Sequence, residues 1–205
     1  MIHMFNACGE PDDPVLRGMF EARKSVFIDL LKWDIPILDG RFEIDQFDDE
    51  HSIYIILTDT AGRHLASARL LPTTRPHILD SIFPFLCEAE PPRDAHIFEI
   101  TRFCLDRSLR ALERRRMRNR LVIELTQYAL AHRIAAFTGV AELSWYQQIL
   151  AFGWRCVPLG FPKEYRGTTL AALTIEIDET TLSQLSAAGI TSDIAEQAHY
   201  SDKAA

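Results

Sequence analysis

The sequence predicts one α/β domain, a mixed β-sheet packed between helices. Three observations predict it. Two β-patterned runs joined by a Gly62 turn stand near the start, and strands alternate with helical segments after residue 96. With 205 residues and 47% hydrophobic content, the chain can also bury one sizeable core.

Asp13-Pro14 reads as an N-cap followed by a proline at the first helical position. Leu16, Met19, Phe20, Phe27, Leu30 and Leu31 then recur at helical spacing, so a helix runs to about Lys32. A loop with a turn at Asp39-Gly40 follows. Residues 52–58 and 64–71 read as strands, and Pro72 closes the second. Residues 72–92 hold five of the ten prolines, which makes a long, shaped loop with room for one short helix. A strand at 96–105 and a long amphipathic helix at 111–132 come next. Beyond them the order is strand 134–141, helix 143–152, short strand 154–158, strand 168–177 and a last helix near 179–188. Residues 1–190 form the single domain, and 191–205 form a polar tail.

Composition excludes several classes. No apolar run reaches the roughly 18 to 20 residues needed to cross a bilayer. Residues 1–13 are short and acidic, unlike a signal peptide, so a cytoplasmic protein without membrane partners is expected. Cys8, Cys87, Cys104 and Cys156 form no Cys-x-x-Cys pair and read as small buried hydrophobes. The formal charge of −7 speaks against a nucleic-acid partner. The seven histidines show no ligand spacing, and no metal is expected. No Gly-x-Gly-x-x-Gly follows a strand, which weighs against a dinucleotide-binding domain.

Some residues look out of place. Arg23 interrupts the apolar stripe of the first helix, so either it faces a cleft or its stem packs while its head reaches water. Glu43, Asp45, Asp48, Asp49 and Glu50 crowd one loop, where either water or a cation must relieve their repulsion. Phe27 and Trp33 just upstream add aromatic faces that suit an organic cation. In a regular strand Glu99 and Arg102 would point to opposite faces, and they serve one pocket only if the strand bulges. The alternative is a charged pair on a sheet edge. Arg69 shares a strand face with Ser67 and has the same alternative. Arg107 to Arg120 opposes the dipole of the long helix, which fits phosphates, an acidic protein surface or a solvated basic face.

Together these positions resemble the acyl-homoserine-lactone synthase (LuxI-type autoinducer synthase) family. Arg23, Phe27 and Trp33 match its arginine, phenylalanine and tryptophan in type and order. Asp45-Gln-Phe-Asp48 matches its Asp-x-x-Asp, and Arg69, Phe83 and Glu99-x-x-Arg102 follow. The resemblance covers about residues 15–178. It implies a GNAT-like acyltransferase fold, a splayed mixed sheet flanked by helices, with the acyl donor entering a V-shaped cleft. No glycine-rich pyrophosphate loop precedes the long helix. Arg114, Arg115, Arg116 and Arg118 stand there instead, and the resemblance implies that this surface recognises acyl-CoA or an acyl-carrier protein.

The implied reaction joins an acyl thioester to the amine of S-adenosylmethionine, which is a substrate, and no cofactor is implied. Asp45 and Asp48 are assigned to its cationic end, directly or by orienting neighbours. Phe27 and Trp33 pack on adenosine and sulfonium, with Phe83 a further binding position. Arg23 and Arg102 handle the carboxylate or anchor acids, and Arg69 pairs with an acidic-loop residue such as Asp48. Glu99, through water, is the candidate general base. The acyl pocket is expected from residues 137–150, with Phe137, Gly139 and Trp145 on its walls. Gly139 stands where many relatives that use 3-oxo donors have threonine, and Trp145 where a smaller methionine is common. This stretch resembles the branch that takes branched-chain or aryl groups from acyl-CoA. A GNAT-like acyltransferase of another amine and a non-catalytic ligand-binding module are the alternatives.

Overall fold

A computed structural model describes residues 1–6 and 13–191. Cys8 and the tail beyond Thr191 lie outside the described residues.

The chain opens with a strand the sequence pattern did not single out, β1 (Ile2–Asn6), which pairs antiparallel with β4 (Ile53–Thr58). Helix α1 (Pro14–Arg23) starts as expected: Asp13 accepts the backbone N–H groups of Val15 and Leu16 at 2.8 and 3.3 Å. The expected single α-helix is corrected in its second half. From Lys24 to Leu30 the chain is a π-helix, with the Leu31 N–H donating to Val26 O at 2.9 Å. Apolar spacing does not distinguish these two hydrogen-bond registers over so few turns. Short strands β2 (Ile37–Leu38) and β3 (Phe42–Glu43) flank the Asp39-Gly40 turn, where both residues have positive φ, 51° and 68°.

Antiparallel β4 and β5 (His64–Pro72) form the expected hairpin. The proline-rich segment carries α2 (Ile78–Ser81) and one 3₁₀ turn at Pro84–Leu86. Strand β6 (Ile97–Leu105), helix α3 (Ala111–Ala131), strand β7 (Ala136–Glu142) and helix α4 (Leu143–Leu150) follow. Next come β8 (Arg155–Pro158), β9 (Lys163–Tyr165), β10 (Thr168–Glu176) and α5 (Thr181–Ala187). Strand β9, three residues long, was also not expected.

The main sheet runs β1-β4-β5-β6-β7-β10-β8, with β9 on β10. Every pairing in it is antiparallel except β6 with β7. That parallel pairing covers only Ile97 to Glu99 against Ala136 to Thr138, although both strands continue. Beyond Glu99 and Thr138 the sheet splays into a cleft. Alternate residues of β4 face opposite layers: Tyr54 and Ile56 pack with Leu16 and Met19 of α1, while Ile55 and Leu57 join the large core under α3. Arg69 and the acidic loop it meets lie on the α1 face of the sheet, whereas Phe137 and Trp145 belong to the core under α3.

Candidate functional site

Three arginines and three carboxylates meet in a closed, alternating ring. Arg23, the last residue of α1, grips Asp48 with two bonds of 2.8 Å and donates from Nε to Glu43 at 2.5 Å. Glu43 also receives Arg102, whose Nη2 lies 3.0 Å from Oε1. Arg102 continues to Asp45 at 2.6 Å. Asp45 takes Arg69 through bonds of 2.7 and 3.0 Å, and Arg69 closes on Asp48 at 2.8 Å. Three positive and three negative groups balance. Isolated buried ions would each cost several kcal/mol, and here each carboxylate meets two guanidinium groups.

Local backbone chemistry sets the geometry. At the end of β3, the spacing Glu43-x-Asp45 puts both acids on one side of the chain. Asp45 accepts the Phe47 N–H at 2.8 Å, and Asp48 accepts the Asp45 N–H at 2.8 Å, so the loop turns on its own carboxylates. Tyr54 donates to Asp48 at 2.8 Å from the sheet below. Burial alone would raise the Asp48 pKa, but the charge and hydrogen bonds of Arg23 and the charge of Arg69 hold it well below the usual carboxylate range. Burial and the neighbouring Asp48 push the Tyr54 phenol upward. Arg69 is fixed from the other side by Thr101 Oγ1, 2.9 Å from its Nε.

Arg102 owes its place to the bulge that Glu99 and Arg102 required. The β5–β6 register shifts between Ser67 and Arg69, and Arg102 takes φ +49°, in the left-handed region. This turn carries Arg102 onto the face of Arg69 and Thr101. Its guanidinium lies 5.6 Å from the Phe27 ring and 5.9 Å from the Trp33 ring. Those rings stack at 4.8 Å, because Lys32 reverses the chain at φ +60° and the Trp33 N–H donates to Phe27 O. Side-chain exposure is 9% for Arg102 and 5% for Asp45, against 0% for Arg23, Glu43, Asp48 and Arg69. The ring is therefore least buried along one edge, Arg102–Asp45.

Glu99 is placed differently. It is fully buried and accepts the backbone N–H groups of Ile78 and Leu79 at 2.7 and 3.0 Å, holding α2 against β6. Burial pushes its pKa up to about 8, against the pull of those two bonds. Phe83 stands edge-on to Tyr165 at 5.4 Å and packs with Phe47 and Leu71 behind the acidic loop. Phe137 is buried in the main core, and Trp145 packs on Phe103 at 5.0 Å. Gly139 follows the last position of β7 paired with β6, and a Cβ there would lie 3.3 Å from Ile100 O across the opening splay. Arg115, Arg116 and Arg118 share one groove, while Arg114 turns back to the Asp106 carbonyl at 3.0 Å.

The structure thus unites Arg23, Asp45, Asp48, Arg69 and Arg102, sets Phe27 and Trp33 over their least buried edge, and keeps Glu99 and the β6–β7 splay alongside. Sequence reasoning missed Glu43 as a partner of Arg23 and Arg102, although the Glu43-x-Asp45 alternation carried the signal. The nearest oxygens of Glu43, Asp45 and Asp48 lie within 4.8 Å of one another, close enough to hold a metal ion. Three guanidinium groups stand where such an ion would sit.

A family model described as autoinducer synthase matches residues 11–185. An acyl-homoserine-lactone synthase of Ralstonia nicotianae is 31% identical over 189 residues, covering 88% of this chain and 91% of the relative. An isovaleryl-homoserine lactone synthase of Bradyrhizobium diazoefficiens is 29% identical, covering 90% and 84%. The structure of a CoA-dependent acyl-homoserine lactone synthase, BjaI, solved with SAM and isopentyl-CoA, superposes with a TM-score of 0.83 at 26% identity. That match covers 94% of this chain and 90% of BjaI. A Lactobacillus plantarum protein assigned as an N-acetyltransferase shares the fold alone, with a TM-score of 0.59 at 16% identity over 87% and 98% of the two chains. The splayed mixed sheet flanked by helices is therefore GNAT-like, and the chain belongs to the autoinducer synthase family of acyl-homoserine-lactone synthases.

Proposed function

We propose that this protein makes an acyl-homoserine lactone signal from S-adenosylmethionine and an acyl-CoA. The observation that carries this is the least buried edge of the charged ring, roofed by Phe27 and Trp33 and set beside the β6–β7 splay. S-adenosylmethionine carries an α-carboxylate, an α-ammonium and a sulfonium. Arg102 suits the carboxylate, Asp45 the ammonium, and the aromatic pair the sulfonium and adenosine. Asp48, Arg23, Glu43 and Arg69 orient those two groups. The acyl donor enters the splay, and both substrates are consistent with a cytoplasmic enzyme.

The chemistry runs in two steps. A base removes a proton from the α-ammonium, and the free amine attacks the thioester carbonyl. The amide forms as the CoA thiolate leaves and takes up the second proton of the former amine. The carboxylate oxygen then attacks the γ-carbon, the carbon–sulfur bond breaks, and methylthioadenosine departs as the lactone closes. Glu99 fills the role of base in its ionised form through a bridging water. Backbone N–H groups freed where β6 and β7 part stabilise the oxyanion. No cofactor enters this scheme.

A short, branched acyl-CoA is the proposed donor. The likeness to the isovaleryl-homoserine lactone synthase and to BjaI with isopentyl-CoA supports it, as does the bulk of Trp145 against Phe103. Purified protein mixed with S-adenosylmethionine and a panel of acyl-CoA and acyl-carrier-protein donors tests both points by mass spectrometry. Methylthioadenosine together with a branched acyl-homoserine lactone is expected. Acylation of another amine without methylthioadenosine, from folded protein, would replace the proposed function with that of an ordinary N-acyltransferase.

A further inference from the structure

Glu99 is fully buried, so a water that carries a proton to it must itself be held in place. A neighbour of its backbone partners can hold that water. His77 stands directly before Ile78 and Leu79, whose N–H groups bond the two Glu99 oxygens at 2.7 and 3.0 Å. It is polar, yet only 1% exposed.

The imidazole is fixed from one side. Nδ1 lies 2.9 Å from Arg75 O, and Asp80 Oδ1 stands 3.5 Å from the same nitrogen. A carbonyl oxygen only accepts, so Nδ1 carries the hydrogen and the neutral ring presents a lone pair at Nε2. Asp80 also accepts the His77 backbone N–H at 2.8 Å, which steadies the residue that bears the ring. Nε2 is buried and has no hydrogen-bond partner among the described residues. Buried acceptors of this kind are ordinarily satisfied by ordered water. Two observations put His77 at the Glu99 end of the cleft. Burial raises the Glu99 pKa to about 8 and the charge of Asp80 adds to the rise, so Asp80 neighbours both His77 and Glu99. Ile78 packs with Phe47 of the acidic loop and with Leu71, which stands opposite Glu99 in the β5–β6 pairing.

We propose that His77 is a positioning residue whose Nε2 holds the water through which Glu99 deprotonates the substrate amine. This rests on the proposed function and deepens it. Each Glu99 oxygen accepts one backbone N–H and keeps a lone pair for a further donor. A water that donates one hydrogen to Nε2 and the other to Glu99 has both hydrogens fixed, and its own lone pair turns to the α-ammonium. The ammonium proton passes to the water oxygen as the water's hydrogen passes to Glu99. Water is regenerated, the amine keeps its electron pair for the thioester, and Glu99 ends protonated. His77 neither gains nor loses a proton; it sets the angle of transfer.

Two amide replacements separate the ring nitrogens. Asparagine places its amide nitrogen near Nδ1 and keeps a donor for Arg75 O, but has nothing at Nε2. Glutamine reaches the Nε2 position. With isovaleryl-CoA as donor, CoA release in a single turnover should slow about 10²-fold in His77→Asn, with KM for S-adenosylmethionine unchanged. His77→Gln should recover at least about tenfold of that loss. A merely structural His77 gives the reverse order, because asparagine preserves the Arg75 bond, and that order overturns the proposal. Equal rates in the two variants, whether reduced or not, also overturn it. A crystal structure of wild type reads the water without turnover. It should lie within hydrogen-bond distance of Nε2 and of a Glu99 oxygen, and a different partner or no ordered water at Nε2 overturns the proposal even if neither variant folds. Wild type that forms no methylthioadenosine with any donor fails the proposed function, whereas an active wild type without that water fails this inference alone.

Discussion

At the scale of single residues, exposure separates two aspartates that the sequence treats alike. Asp48 is sealed, with Arg23, Arg69, Tyr54 and the Asp45 N–H on its two oxygens. Asp48→Asn leaves two buried guanidinium groups short of a partner, so stability falls by about 3–5 kcal/mol. A melting experiment should show a fall of about 2–4 °C per kcal/mol lost in a chain of this size. Asp45 sits at the least buried edge, so Asp45→Asn should lose less stability and raise KM for S-adenosylmethionine at least about tenfold through a lost charge-assisted bond. Identical adenosylmethionine affinity in wild type and Asp45→Asn would remove Asp45 from the substrate. Glu99 yields a pH test. A base must be ionised, so turnover should rise as pH climbs through about 8. Glu99→Gln should lose that rising limb and about 10²–10⁴-fold in rate. An unchanged limb in the variant would assign it to another group. Arg23 was legible because a charge inside an apolar stripe needs a partner or a path to water, and Arg102 became so only through the family resemblance. Glu43 was less so, because its two partners come from α1 and β6, distant in the chain.

At the scale of elements, what the sequence made plain was what period and punctuation encode. The capped start of α1 and the β4–β5 hairpin were readable, and so was the condition that Glu99 and Arg102 share a face only if β6 bulges. The π-helix was not, since it changes hydrogen-bond register while Arg23 and Phe27 stay on one side. Strand β9, with three residues, was too short to impose a period. Close backbone contacts between loops were also hidden. A Cβ on Gly160 would lie 2.4 Å from Leu86 O, and the Glu88 N–H donates to Leu159 O at 2.8 Å. Gly160→Ala must therefore push the 84–88 segment away, at a cost of about 1–3 kcal/mol, detectable by urea unfolding. A variant as stable as wild type would show that this segment yields freely. In α4, Trp145→Ala removes the ring packed on Phe103, and the preferred acyl chain should lengthen. Donor competition read by mass spectrometry checks this, and an unchanged product ratio would clear Trp145 of any role in chain length.

At the scale of the whole molecule, strand order is what no local pattern could supply. The parallel β6–β7 pairing stops at Glu99 and Thr138, and that stop creates the cleft. The same place joins stability to activity through two carboxyls with opposite shifts. Asp48 titrates below its ordinary 3.8, so its contribution to stability is present above that pH and is lost as pH falls toward the folded value. Glu99 is raised from 4.5 to about 8, so its contribution is present below 4.5 and is lost as pH rises through 8. From these two groups, stability peaks between the ordinary values of 3.8 and 4.5 and declines toward pH 8. Catalysis by an ionised Glu99 needs the upper end of that decline. The enzyme should therefore work best where its fold has already lost part of its stability, because one buried carboxyl must surrender its proton to act. Urea midpoints measured from pH 4 to 9 should fall between about 4.5 and 8 in wild type and level off above, and the fall should shrink in Glu99→Gln. A flat wild-type profile between pH 5 and 8 would mean that Glu99 ionises at its ordinary pH, and the alkaline limb of activity would then need a different owner.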